Sequence, residues 1–216
     1  ISPTSVNFGG VETGFSASKT VTVTNDGGSA LVIESGNITL SDTTNFSKTD
    51  PAKTTIVPGG SAKIAIEAAP ETAGTVSTTL DIKTNEGDHS VSVSATGLVP
   101  NMKVSNSTGS LANTTDLTFG ETPVGSSSST TVRVTNDGDA RLQLPKPTIT
   151  GTNASEFSVT SGQGDLVLSP GATERYSIAY APGAADDSTA TLVFAGMNQP
   201  TQNRFELGLT GTGTQA

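Results

Sequence analysis

Apolar residues recur along this chain at every second position, in short runs separated by glycine and proline. Val21 and Val23 alternate with threonines in Thr20-Val21-Thr22-Val23-Thr24-Asn25-Asp26-Gly27. The same octet returns 111 residues later as Thr131-Val132-Arg133-Val134-Thr135-Asn136-Asp137-Gly138, identical at seven of eight positions. A period of two belongs to a strand with one buried and one wet face. The Asp-Gly pairs then turn the chain, because glycine accepts the positive φ of a tight turn without steric cost.

The runs around these octets repeat in order. Val6 and Phe8 mark a first strand, answered by Leu117 and Phe119, with Gly9 and Gly10 expected to release the chain into a loop. Leu31 to Ile33 corresponds to Leu142 to Leu144, and Phe46 and Phe157 each plug the core from an otherwise polar segment. Pro58-Gly59 and Pro170-Gly171 predict turns. Ile64 and Ile66 then face inward in one copy, and Tyr176, Ile178 and Tyr180 in the other. These strands close at Pro70 and Pro182, which cannot donate to a ladder. Val76, Thr78, Leu80 and Ile82 are answered by Ser188, Ala190, Leu192 and Phe194. The last strands, Val91 to Ala95 and Phe205 to Leu209, end at Thr96-Gly97 and Thr210-Gly211.

About seven strands per copy, with a turn signal every ten or so residues, predict an all-β chain of two tandem immunoglobulin-like antiparallel β-sandwiches. The expected division is residues 1–99, a junction at 100–110 and residues 111–216, and a length of 216 residues suits two such domains. In the junction, Leu98, Val99 and Met102 are expected to pack between the domains. Residues 104–116, rich in Ser, Thr and Asn, read as a loop. Only the alanine-containing window at 65–73 hints at helical spacing, so almost no helix is expected.

Composition sharpens this picture. Hydrophobic residues make up 32% and aromatic residues 4%, so each core rests on about ten aliphatic or Phe side chains, each contributing roughly 1.5 to 3 kcal/mol. There is no cysteine, which removes disulfides, thiolate metal sites and cysteine nucleophiles. The net charge of −9 repels phosphate backbones and anionic headgroups, so neither nucleic acid nor a membrane surface is an expected partner. No apolar run approaches the ~20 residues that cross a bilayer as a helix. The chain opens at Ile1 without Met, as a processed product or an excised fragment would.

Candidate chemistry is sparse. His89 is the one histidine, set in the polar hairpin Asn85-Glu86-Gly87-Asp88-His89, with no Gly-x-Ser-x-Gly elbow to make it the base of a triad. Asp186-Asp187 and Asp137-Asp139 are the closest acid pairs, both in expected exposed loops and read as hydrated turn residues. Asn136-Asp137-Gly138-Asp139 falls short of a calcium loop. Asn37, Asn45, Asn106, Asn113 and Asn153 head Asn-x-Ser/Thr sequons. Tyr176 and Tyr180 share an inward parity, which argues against a sugar-binding face. Neither catalytic residues, a cofactor nor a metal is expected.

The ordered series Ile-Ser-Pro-Thr-Ser-Val-Asn-Phe-Gly, Thr-Val-Thr-Val-Thr-Asn-Asp-Gly, Leu-Val-Ile, Asn-Phe-Ser, Val-Pro-Gly-Gly-Ser, Pro70 to Gly74 and Ala-Thr-Gly resembles the ASH immunoglobulin-like domains. That group is named for abnormal spindle, SPD-2 and hydin, and is related to major sperm protein and to bacterial "choice-of-anchor D" repeats. The resemblance is fuller over residues 1–97 than over 111–213, where Asp186-Asp187 stands in place of a glycine. It implies seven-stranded sandwiches used as spacers or interaction modules, exported to the surface in prokaryotes and serving cilia and centrosomes in eukaryotes. Many bacterial members carry cysteines where this chain has Ala52 and Ala62.

These readings converge on a non-catalytic structural or adhesive module of an exported cell-surface protein or filament, binding protein, including further copies of itself. A recognition domain of a larger enzyme, or of a ciliary or centrosomal scaffold, is the alternative. Val6 and Phe8 form the candidate donor segment for strand exchange in a homo-oligomer or filament.

Overall fold

The computed structural model describes the chain apart from Lys53, Gln163, Gly196, Pro200, Thr201 and Ala216 and the side chains of Glu34 and Ser35. Its contacts divide it into two units, Ile1–Leu98 and Val99–Ala216. Both are β-sandwiches.

The first unit contains β1 (Ser5–Glu12), β2 (Ala17–Thr24), β3 (Leu31–Leu40), β4 (Phe46–Thr49), β5 (Thr55–Ile56), β6 (Ser61–Ala68), β7 (Gly74–Thr84) and β8 (Gly87–Leu98). One sheet runs β1-β8-β7-β3-β5 and the other β2-β6-β4. Alternation does what the sequence requires: Val21, Val23, Ile64, Ile66, Leu80, Ile82, Val91 and Val93 are all buried between the sheets, while the threonines and serines beside them face out. The core is richer than ten residues, because Val11, Ile33, Ile38 and Ile56 join it.

Strand β1 pairs in parallel with β8, Val6 opposite Val93 and Val11 opposite Gly97. Gly9 and Gly10 do not release the chain. The ladder slips between Asn7 and Gly10, with Gly9 at φ +70°, and the strand continues to Glu12. Gly120, at φ +69°, gives β11 the same bulge. Glycine at this position makes a bulge because it takes the left-handed conformation while the chain keeps its direction.

The second unit contains β9 (Met102–Ser105), β10 (Ser110–Leu111), β11 (Thr115–Pro123), β12 (Ser128–Asn136), β13 (Leu142–Leu144), β14 (Thr148–Thr150), one turn of 3-10 helix at Ala154–Glu156, β15 (Phe157–Ser161), β16 (Leu166–Leu168), β17 (Thr173–Tyr180), β18 (Asp187–Ala195) and β19 (Arg204–Thr214). Its sheets run β10-β9-β12-β17-β15 and β11-β19-β18-β14, with β13 and β16 as a separate pair. Again the first long strand, β11, lies parallel to the last, β19.

Two departures from the expected layout have local causes. Residues 104–116 are not a loop: β9 and β10 form a hairpin, and β9 adds to β12 with Met102 opposite Asn136. Four alternating residues are too few to declare a strand on their own, and the pairing with β12 supplies what the local pattern lacks. Where β3 is continuous, its counterpart is split into β13 and β14, because Pro145 and Pro147 lie between them and proline donates no ladder hydrogen bond.

Candidate interaction site

The residues that could have carried chemistry are each engaged locally, within their own unit. His89 is exposed on β8, opposite Ile82, at the rim of an open hollow of about 330 Å³ whose wall includes Asn25, Asp26, Ser29 and Glu86. The Asp187 carboxylate accepts from Thr212 Oγ1 at 2.7 Å, and the Asp186 carbonyl accepts from Gly213 N at 2.8 Å. Asp137 and Asp139 are exposed, their backbone amides bonded to the carbonyls of Asn101 and Val99. Among the described residues no three His, Asp or Glu side chains come together as a metal site would require.

Polar side chains instead hold the turns. Asn25 and Asn136, expected only to shape the Asn-Asp-Gly turns, are buried at 5% and 0% exposure. Asn136 Nδ2 donates to the carbonyls of Ala140 at 2.8 Å and Leu168 at 2.9 Å, and Oδ1 accepts from Gly138 N at 3.1 Å and Asn101 N at 3.3 Å. Its backbone pairs with Gly171 and Ala172, so it also anchors the Pro170-Gly171 turn. Asn25 repeats the pattern on Ser29, Ile56, Gly27, Gly59 and Gly60. One amide thus joins three stretches of chain in each unit.

A second amide pair escaped the sequence. Asn85 Oδ1 accepts from Val32 N at 2.8 Å while its Nδ2 donates to the Ala30 carbonyl at 3.2 Å. Asn198 treats Gln143 N and the Arg141 carbonyl alike, at 2.8 and 2.9 Å. Each side chain stands in for a strand residue beside β3 or β13. The signal available was that Asn85 and Asn198 sit at equivalent places after β7 and β18.

A buried tyrosine begins a polar cluster in the second unit. Tyr180 donates its hydroxyl proton to Ser188 Oγ at 3.0 Å, Ser188 donates to Glu156 Oε2, and Gly183 N donates to Glu156 Oε1 at 2.9 Å. The Ser188 hydroxyl, then the Gly183 amide, hold the Glu156 carboxyl below its ordinary pKa. A carboxylate so stabilised is a poor base, and Ser188 is only 3% exposed. The cluster ties the 3-10 turn before β15 to β17 and β18. In the first unit Asn45 stands where Glu156 stands, and its Oδ1 accepts from Glu71 N at 3.2 Å.

The closing glycines correct the sequence alignment. A Cβ on Gly97 would meet the Thr72 carbonyl oxygen at 1.9 Å, and one on Gly213 the Ala184 oxygen at 2.0 Å, each beside the proline Cβ of Pro70 or Pro182. Gly213, not Gly211, is therefore the counterpart of Gly97. Gly211 lies under the Tyr180 ring, where a Cβ would come within 2.4 Å.

The junction and donor residues are each engaged within their own unit. The Leu98 side chain closes over Gly10, the Val99 carbonyl accepts from Asp139 and Ala140, and Met102 belongs to the second core. Val6 is 4% exposed in the first core, and Phe8 lies beneath Lys19 Nζ at 5.8 Å. Ala62 is buried opposite Val23, and Ala52 is exposed. Of the sequon asparagines, Asn45, Asn106, Asn113 and Asn153 spend Oδ1 on backbone amides; Asn37 lies in β3.

Two family models match these sandwiches. The HYDIN/CFA65/VesB-like Ig-like domain covers residues 1–97, and the ASPM-SPD-2-Hydin (ASH) domain covers residues 107–202. Both halves of the chain are ASH-type immunoglobulin-like domains. Such ASH domains are typically protein-interaction modules and generally non-catalytic. Among solved structures, an ASH/PapD-like domain of human CEP192 is 15% identical over 55% of this chain and 88% of its own, with a TM-score of 0.40. A protein of unknown function from Porphyromonas gingivalis is 16% identical over 98% and 97%, with a TM-score of 0.41. The VesB protease of Vibrio cholerae is 18% identical over 47% of this chain and 31% of its own, with a TM-score of 0.34. No curated protein matches the chain in sequence. Among the described residues no helix is long and apolar enough to cross a membrane.

Proposed function

We propose that the two ASH domains act as a non-catalytic spacer and protein-interaction module of an exported cell-surface protein or filament. The observation that supports this is the parallel pairing of first and last long strands, β1 with β8 and β11 with β19. Pulling a domain by its ends loads such a ladder along the strands, so that many backbone hydrogen bonds must fail together. Open edges at β1 and β4, and at β11, β14 and β15, offer backbone groups to protein partners, including further copies of the chain. The acidic field disfavours nucleic acid.

Single-molecule stretching tests the spacer. Two separate unfolding events are expected, each releasing roughly 300 to 400 Å of chain. Extension at low force with no discrete event would overturn it.

A recognition role inside a larger enzyme or a ciliary or centrosomal scaffold is the second reading, favoured by the proteases and spindle proteins that name the matching families. Antibody labelling of intact cells separates the two, since an exported module is reached without permeabilisation and a scaffold is not.

A further inference from the structure

The repeated octet differs at one position, Thr22 against Arg133, and the ladder gives that difference a consequence. Arg133 on β12 stands directly opposite Arg175 on β17, whereas Thr22 stands opposite Lys63. Both arginines are exposed on the outward face of the sheet. The next row along confirms that this face brings side chains together across the two strands, because Thr135 Oγ1 and Thr173 Oγ1 lie 2.8 Å apart. Lys103, opposite Thr135 on β9, brings a third exposed cation beside the pair.

Like charges directly opposite on a sheet repel. Among the described residues no acid is paired across the strands with Arg133 or Arg175: the remaining cross-strand partner of Arg133 is Ser105, and Glu174 lies on the inner side, raising the pKa of Tyr176. Among the described residues none of the three cations forms an ion pair.

We infer that the outward face of β9, β12 and β17 docks a carboxylate-bearing segment of a protein partner, with Arg133 and Arg175 gripping a carboxylate from both sides and Lys103 serving a second. Guanidinium forks fit carboxylates by paired hydrogen bonds. A protein segment fits better than a polyanion. A dense polyanion extends beyond the ~10 Å over which salt leaves the patch its own sign, and there meets the net charge of −9. A short acidic segment samples the patch alone. The inference rests on the interaction-module reading, but the stretching experiment above is indifferent to it.

The test titrates the full chain, observed by amide NMR, with a synthetic peptide of alternating Glu and Ser, with its Gln analogue, and with a heparin fragment. The Glu peptide should give saturable shifts centred on Lys103, Arg133 and Arg175, lost with rising salt, and the Gln analogue none. Arg133→Thr, which restores the first copy's residue, should weaken binding about tenfold. It should leave the unfolding temperature unchanged or raised, so lost binding is not lost fold. Equal binding by Arg133→Thr, shifts elsewhere, no binding of the Glu peptide, or binding of the heparin fragment alone would each overturn the assignment.

Discussion

The side-chain amide of Asn136 donates to the carbonyl oxygen of Leu168 across 2.9 Å, from within a site that solvent does not reach. A buried carbonyl left without a donor costs more than the hydrogen bond was worth, since neither water nor protein then satisfies it. Asn136→Ala should therefore destabilise the second domain by about 2 to 4 kcal/mol, two carbonyls losing their donor together. Asn198→Ala, at exposed hydrogen bonds, should cost about 1 kcal/mol or less. Urea unfolding of both variants checks the order.

Gly97→Ala and Gly213→Ala should be among the most damaging single-methyl changes in the chain. In each, the new Cβ meets a carbonyl oxygen at 2.0 Å or less, and backbone must move to relieve it. Gly28→Ala, with open space around it and no strained φ, should change stability by about 0.5 kcal/mol or less. Thermal unfolding of the three variants tests this.

Tyr176 carries the opposite expectation. Its hydroxyl is buried without a hydrogen-bond partner among the described residues, and burial, with the nearby Glu174 charge, raises its pKa to about 12. Removing an unsatisfied buried hydroxyl relieves its desolvation cost. Tyr176→Phe should stabilise the second domain by about 1 kcal/mol, and calorimetry should find a higher unfolding temperature. A lower one would mean that the hydroxyl has a partner in solution.

Acid should act on the second domain through Glu156. Its folded pKa lies below its unfolded value, so the stability it contributes is present above the unfolded pKa, near 4.3, and is lost as pH falls through the lower folded value. Glu156→Gln, which removes this ionisation, should cost most at neutral pH. The gap between variant and native chain should close on acidification, and unfolding curves at neutral pH and near pH 3 measure it.

Most of the fold was legible in the sequence because a period of two survives in nearly every strand: Val21 and Val23, Ile64 and Ile66, and Leu80 and Ile82 are all buried as their spacing requires. The polar hubs were not. Asn25 and Asn136 precede Asp-Gly, and a turn accounts for that triplet without any buried amide, so nothing local pointed inward. The hairpin of β9 and β10 was hidden for a different reason: its strands are too short to carry a period, and their partner lies some thirty residues ahead. The basic pair was hidden again because Arg133 and Arg175 become neighbours only once the register of β12 with β17 is known.

Tyr180 and Gly211 occupy the places that Ala68 and Ala95 hold in the first domain, a large ring over a bare backbone where two methyl groups suffice. Ancestral duplicates of one plan have thus drifted into separate solutions for filling the same volume. Anyone recombining the halves would have to transplant positions 180 and 211 as a couple, since a tyrosine moved alone would strike an alanine, and a glycine moved alone would leave a hole.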